Sequence, residues 1–225
     1  MKNVIKIAVF VVVVMCVLPY TVDATSLVGN TWHPDGDYFT RQINDGAITR
    51  TRIGEFTTQV RDDDGNLMND GEWFSALCVE PGQIAQSGGE LVVQAIKPSE
   101  KNGGLQAAWL FDTYYAKDMS FDQLAGLQIA IWEVIVDDSG SYNLSQGNMK
   151  ILGGDADAIA FAGGYLESVP GGFDADYLDS QYLIAEHPDK QDLIIRTPVP
   201  EPSTVLLLAA GLLGMGSMVR RKRQK

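Results

Sequence analysis

Both ends of the chain carry short apolar runs edged with lysine or arginine, and these limit how much of the 225 residues is left to fold as a domain. Residues 204–219 are uncharged and rich in Leu, Ala and Gly, and Arg220, Arg221, Lys222, Arg223 and Lys225 follow at once. Pro200, Glu201 and Pro202 stand in front of the run; two prolines flanking one residue cannot enter a helix together, so they form an extended, accessible hinge. The run is somewhat shorter than the roughly 20 residues of a comfortable bilayer span, a shortfall that local thinning of the bilayer covers. A basic cluster behind such a span is held on the cytoplasmic side, so what precedes it is expected outside. A buried core helix would be an odd place for these five cations.

The N-terminus agrees. Lys2 and Lys6 precede an apolar stretch at 7–18, and Val22-Asp23-Ala24 puts a small residue where a signal peptidase cuts, so the mature chain is expected to begin at Thr25. Met15 precedes Cys16 where a lipoprotein leader needs a small residue, which argues against lipidation. The organisation read from the sequence is a signal peptide at 1–24, one module at 25–198, and a C-terminal segment at 199–225 with a membrane-spanning helix and a basic tail. The module is long enough for one domain with a real core.

Once the leader is gone, Cys78 is the one cysteine left, so no intramolecular disulfide can form and the thiol asks for an explanation. Without the leader and the tail cations, 10 basic residues face 28 acidic ones, a net of −18. Phosphate binding needs basic patches, so nucleic acid is excluded as a partner. The charge suits a soluble extracellular protein and favours cations.

Along the module, Gly and Asp clusters punctuate strand-like runs at 47–60, 72–79 and 91–96. Residues 61–71 read as an acidic hairpin turn. Asp62, Asp64 and Asn66 are spaced like the start of a calcium loop, but Leu67 stands where such a loop needs Gly, and Glu72 comes too soon to close it. Residues 105–116 and 121–136 read as helices; Ser120 caps the second, with Gln123 three residues on. A weaker helix at 155–168 is expected to break at Gly163-Gly164, and 182–185 and 192–196 read as strands joined by a turn at His187-Pro188-Asp189. There is no internal repeat. The fold class expected is α+β, with a β-rich N-terminal half, a helical middle, a closing β-hairpin, and the C-terminal membrane-spanning helix.

Two residues stand out chemically. On the 121–136 helix the apolar stripe is Leu124, Leu127, Ile131, Val134 and Ile135, and Gln128 sits inside it. A buried amide without a partner costs about 1–3 kcal/mol; the ordinary explanation is a bond to nearby backbone. Cys78 lies in a strand ending at Pro81, where the ordinary reading is a packed thiol. Together they allow a thiolate to attack the Gln128 side-chain carbonyl, expel ammonia, and leave an internal thioester. Of the two histidines, His33 and His187, only His187 offers a Cys–His nucleophile pair, and it sits in a turn with no evident orienting partner. Ser nucleophile elbows, phosphate loops and paired-metal spacings are missing. Trp73, Trp109, Tyr114 and Tyr115 offer a sugar face, although core packing explains them as well.

Two resemblances follow from these residues. Val199-Pro200-Glu201-Pro202, the apolar run and the basic end resemble the PEP-CTERM sorting signal of Gram-negative bacteria. This implies export, transient anchoring in the inner membrane, processing near the Pro-Glu-Pro by an exosortase, and often a link to exopolysaccharide and biofilm matrix. Leu127-Gln128-Ile129-Ala130-Ile131-Trp132, with Cys78 in Ala76-Leu77-Cys78-Val79 upstream, resembles the thioester domains of bacterial surface adhesins, and the likeness extends over about 77–195. It implies that Cys78 and Gln128 form the thioester, that Trp132 shields it, and that Gln106, whose Trp109 comes one residue early, does not take part. The reading is an exported surface or matrix protein and a covalent adhesin, not a turnover enzyme, with no cofactor and no metal. Its expected partners are signal peptidase, exosortase, the inner membrane before sorting, and a surface amine or hydroxyl of a protein or polysaccharide. The alternatives are a non-reactive matrix protein and a carbohydrate-binding or carbohydrate-active protein.

Overall fold

The computed structural model describes residues 24–62, 64–137 and 140–196. The expected leader and the C-terminal segment, including Pro200, Glu201, Pro202, Arg220 and Arg221, fall outside the described residues. Among the described residues no helix is long and apolar enough to cross a membrane.

A long antiparallel pair opens the domain: β1, Ala24–Ile43, against β2, Thr49–Asp62. On β2 the side chains of Phe56, Thr58 and Val60 turn inward while Glu55, Thr57 and Gln59 stay half-exposed, the period of two expected of a sheet with one covered face. A tight turn at Met68–Gly71, with Asn69 and Asp70 in the left-handed region, leads into β3, Phe74–Cys78. The remaining strands are β4 Glu90–Val92, β5 Gln94–Ile96, β6 Met149–Gly153, β7 Tyr182–Glu186 and β8 Leu193–Arg196. The strand order is β4-β1-β2-β3-β8-β7-β5, with β6 on the far end of β1, and every pair is antiparallel. β4 and β5 stand at opposite ends of this order, yet only Val93 separates them in the chain. The sheet must therefore curl until the end of β4 lies beside the start of β5.

Among the described residues four α-helices complete the fold: α1 Gly104–Tyr114, α2 Phe121–Val136, α3 Ala156–Glu167 and α4 Ala175–Gln181. α2 begins with a capping box in which Ser120 and Gln123 exchange backbone and side-chain bonds. It is buried on nearly every side from Ala125 to Val134. Ala125, Ile129 and Trp132 meet the sheet cluster that includes Phe39, Phe56, Cys78 and Leu193. Leu127, Ala130, Ile131 and Val134 meet a second cluster with Ala107, Leu110, Phe111 and Leu178. Gly126 allows α3 to pack tightly: a Cβ there would lie 2.6 Å from Phe161 Cβ.

α2 spans the residues expected, and α1, β2, β3, β7 and β8 lie close to the expected runs. The segment at 91–96 is two short strands, because Val93 carries the chain from one sheet edge to the other. α3 runs through Gly163-Gly164, both in open space, so helical hydrogen bonding meets no obstacle there. β1, β6 and α4 have no counterpart in the sequence reading.

Candidate functional site

Cys78 and Gln128, 50 positions apart, are brought into direct contact. The Cys78 backbone N–H donates to Gln128 Oε1 at 3.0 Å, and Gln128 Nε2 donates to the Cys78 carbonyl oxygen at 2.5 Å. The cause lies in the sheet. β2 and β3 pair only as far as Phe56 with Ala76, so at Cys78 the strand edge facing β2 is unpaired. On its other edge β3 remains paired with β8, and the Val79 N–H donates to the Asp192 carbonyl. A primary amide has the donor and acceptor of a peptide group, so Gln128 stands in for the missing strand residue. It is 1 % exposed and Cys78 is 2 % exposed, so both backbone groups would otherwise be buried and open.

The sulfur is enclosed as well. Cys78 Sγ donates to the Glu80 carbonyl oxygen at 3.2 Å. Burial pushes the thiol up to about 12; the Trp132 indole, the Glu80 carbonyl and the Arg41 charge pull the other way. Trp132, one turn after Gln128, is 2 % exposed, and its Nε1 has no completed hydrogen bond although the N–H side of the ring is near enough to lower the thiol pKa. Over the same ring stands Arg41, its Cζ 5.5 Å from the centroid. The sequence reading missed Arg41. Its signal was the alternation Phe39, Arg41, Ile43, which places a cation on the core face of β1, but β1 itself was not read.

Beside this pair opens a cavity of about 550 Å³ whose walls include Glu80, Gln83, Val93, Glu186 and Asp192. Val93 also belongs to the apolar cluster around Cys78. Lys101 binds Glu186 at 2.7 Å and Asp192 at 3.0 Å. Burial opposes the Lys101 charge, but the two carboxylates outweigh it and raise its pKa. Glu80 is raised by burial and by Asp192 next to it. Three carboxylates against one ammonium leave the cavity wall acidic.

The other candidates do not join this group. Gln106 is half-buried on α1. His33 is exposed and meets Thr57 Oγ1 at 2.9 Å, while His187 Nδ1 accepts the Asp189 N–H. The acidic loop after β2 is a hairpin closed on itself: Asp62 Oδ1 accepts the Asn66 N–H at 2.8 Å. The aromatic residues are divided: Trp109 and Tyr114 pack edge to face in the helical cluster, Tyr115 bonds Ser75, and Trp73 stands over Gly29. Asp122, Asp155 and Asp157 bring one oxygen each within 4.8 Å of one another at the starts of α2 and α3, a convergence the sequence reading did not foresee. Acids there also complement the helix dipoles.

Residues 198–223 match the PEP-CTERM protein-sorting motif. The motif implies an exported precursor that passes through the membrane and is processed by an exosortase. No curated protein and no solved structure matches the chain.

Proposed function

We propose that this exported protein acts as a covalent tether at the cell surface or in the matrix around it, through a thioester between Cys78 and Gln128. The observation that carries the reading is the pair of bonds holding the Gln128 amide against Cys78. The thiol adds to the Gln128 acyl carbon, the C–N bond breaks, and nitrogen leaves as ammonia with the proton the thiol gave up. A primary amine on a partner then attacks the acyl carbon, the C–S bond breaks, sulfur recovers a proton, and an amide joins the partner to residue 128. Holding both groups in one place supplies the rate advantage of an intramolecular reaction. The apolar surroundings of Trp132 exclude the water that would compete. The acidic cavity favours an ammonium-bearing partner over an anionic one. Gln128 is consumed, so the protein reacts once and does not turn over.

A second reading has its own support. Both polar ends of the Gln128 amide are already satisfied by the Cys78 backbone, which suits an unreactive structural pair in a matrix protein. Intact-mass measurement separates the two. The thioester makes the purified protein lighter by one ammonia, and methylamine adds to residue 128 and frees the thiol. Cys78→Ala and Gln128→Ala should each abolish both signatures, while Gln106→Ala should keep them. A plain-sequence mass in fresh protein refutes the thioester.

A further inference from the structure

Arg41 is a cation in the wrong place for packing alone. It lies on the core face of β1 between Phe39 and Ile43, is 8 % exposed, and its Nε has no hydrogen-bond partner. Trp132, against whose ring it rests at 5.5 Å, has the same defect: a buried Nε1–H without an acceptor. A buried donor left open costs about 1–3 kcal/mol, and native structures satisfy nearly all of them. Here two open donors flank one ring in the apolar cluster that contains Cys78.

We propose that Arg41 and the indole N–H of Trp132 form a charge-holding device for the Cys78 sulfur, idle at rest and engaged when the bond to Gln128 forms or breaks. This rests on the thioester reading above. The acceptor these donors lack is one that exists only during reaction. When the thioester forms, sulfur gives its proton to the departing nitrogen and carries negative charge as it adds to the acyl carbon. When an amine opens it, the C–S bond breaks, sulfur leaves as thiolate, and it then takes the proton released by the amine. Both steps balance without an oxidant or reductant. Donors already in place where charge develops lower a barrier without reorganising. The arginine and the sulfur are close enough to interact once charge appears: burial lowers the Arg41 pKa, and a thiolate at Cys78 works against that fall.

The test uses the purified full-length protein with Cys16→Ala, so that Cys78 is the one thiol. Arg41→Met removes the charge and keeps the aliphatic bulk, Arg41→Lys restores charge, and Trp132→Phe removes the N–H while keeping a ring. Mass spectrometry follows opening of the thioester by methylamine. The expected result is cleavage slowed at least about tenfold in Arg41→Met and in Trp132→Phe, with Arg41→Lys recovering most of the rate. A purely structural role gives the opposite sign, because a loosened core admits methylamine and water faster. Unchanged or faster cleavage in the folded variants overturns the proposal. If Arg41→Met fails to fold, Trp132→Phe decides by the same sign. If wild-type protein has the plain mass, the thioester reading fails instead. The reaction of Cys78 with methyl methanethiosulfonate, in which the thiolate forms a methyl disulfide and methanesulfinate leaves, then decides the hold on sulfur charge: slower reaction in Arg41→Met upholds it, and equal or faster reaction overturns it.

Discussion

Gln128→Ala removes the group that completes the sheet at Cys78, and its cost can be separated from any covalent bond. The substitution leaves the Cys78 N–H and C=O without the partners they have at 3.0 and 2.5 Å, in a place where Cys78 is 2 % exposed. A buried polar group left open costs about 1–3 kcal/mol, so two of them set a loss of roughly 2–4 kcal/mol, allowing for partial relaxation. Cys78→Ala is the comparator. It deletes the sulfur and its bond to the Glu80 carbonyl but leaves the amide–backbone pair intact, at about 1 kcal/mol. Neither variant can form a thioester, so that contribution cancels in the difference. Gln128→Ala should therefore be the less stable of the two by about 1–3 kcal/mol, or about 2–4 °C in Tm for each kcal/mol in a domain of this size. Urea unfolding measures it, with equal slopes confirming that the same surface unfolds. Equal stability of the two variants, or a less stable Cys78→Ala, would refute the claim that Gln128 serves as a surrogate strand residue.

Two further outcomes follow from the termini and from a buried acid. An epitope inserted after Thr25 should reach the periplasm or the surface, while one placed after Lys225 should be lost on maturation; secreted protein that keeps its tail would contradict exosortase processing. Glu133 is fully buried and burial raises its pKa to about 7, Asp137 adding to this and the Asn143 N–H opposing it. The folded-state pKa lies above the unfolded one, so the folded chain holds the proton longer and stability falls as pH rises from about 4.5 through 7. Glu133→Gln should flatten that slope in urea midpoints taken at about pH 5 and about pH 8; a slope identical to wild type would show that Glu133 does not produce it.

How far the fold could be read depended on whether local pattern and tertiary setting agreed. α2 was legible to the residue because its cap, its lack of Pro and its apolar content all point the same way. β1 was not. Its pairing with β2 shifts register at three places, and Pro34 interrupts the middle, so the alternation that betrays a strand is broken although the chain stays extended. The split at Val93 was hidden for another reason: a run of strand-like residues does not say that it changes edges. At the site, Cys78 and Gln128 were visible as single oddities in apolar settings. Arg41 and the acidic cavity wall were not, because they come from β1, the β7–β8 turn and the loop after β3, which only the curled sheet brings together.

The packed and the reactive readings of Gln128 draw on the same geometry, and that geometry distinguishes between products. Before reaction the amide gives Cys78 both an acceptor and a donor. On the thioester reading, Oε1 remains a carbonyl oxygen that can still accept the Cys78 N–H, but the nitrogen is gone and the Cys78 carbonyl loses its donor. In this buried setting the thioester state is short of one hydrogen bond, at a cost of about 1–3 kcal/mol. Attack by a primary amine returns an N–H to the acyl carbon, able to donate to that carbonyl again, whereas attack by a hydroxyl or by water leaves an oxygen that cannot donate while it is an ester or a carboxylate. On the thioester reading, the sheet edge that holds Gln128 in place favours amide products over ester products, through the backbone of the very cysteine that is released.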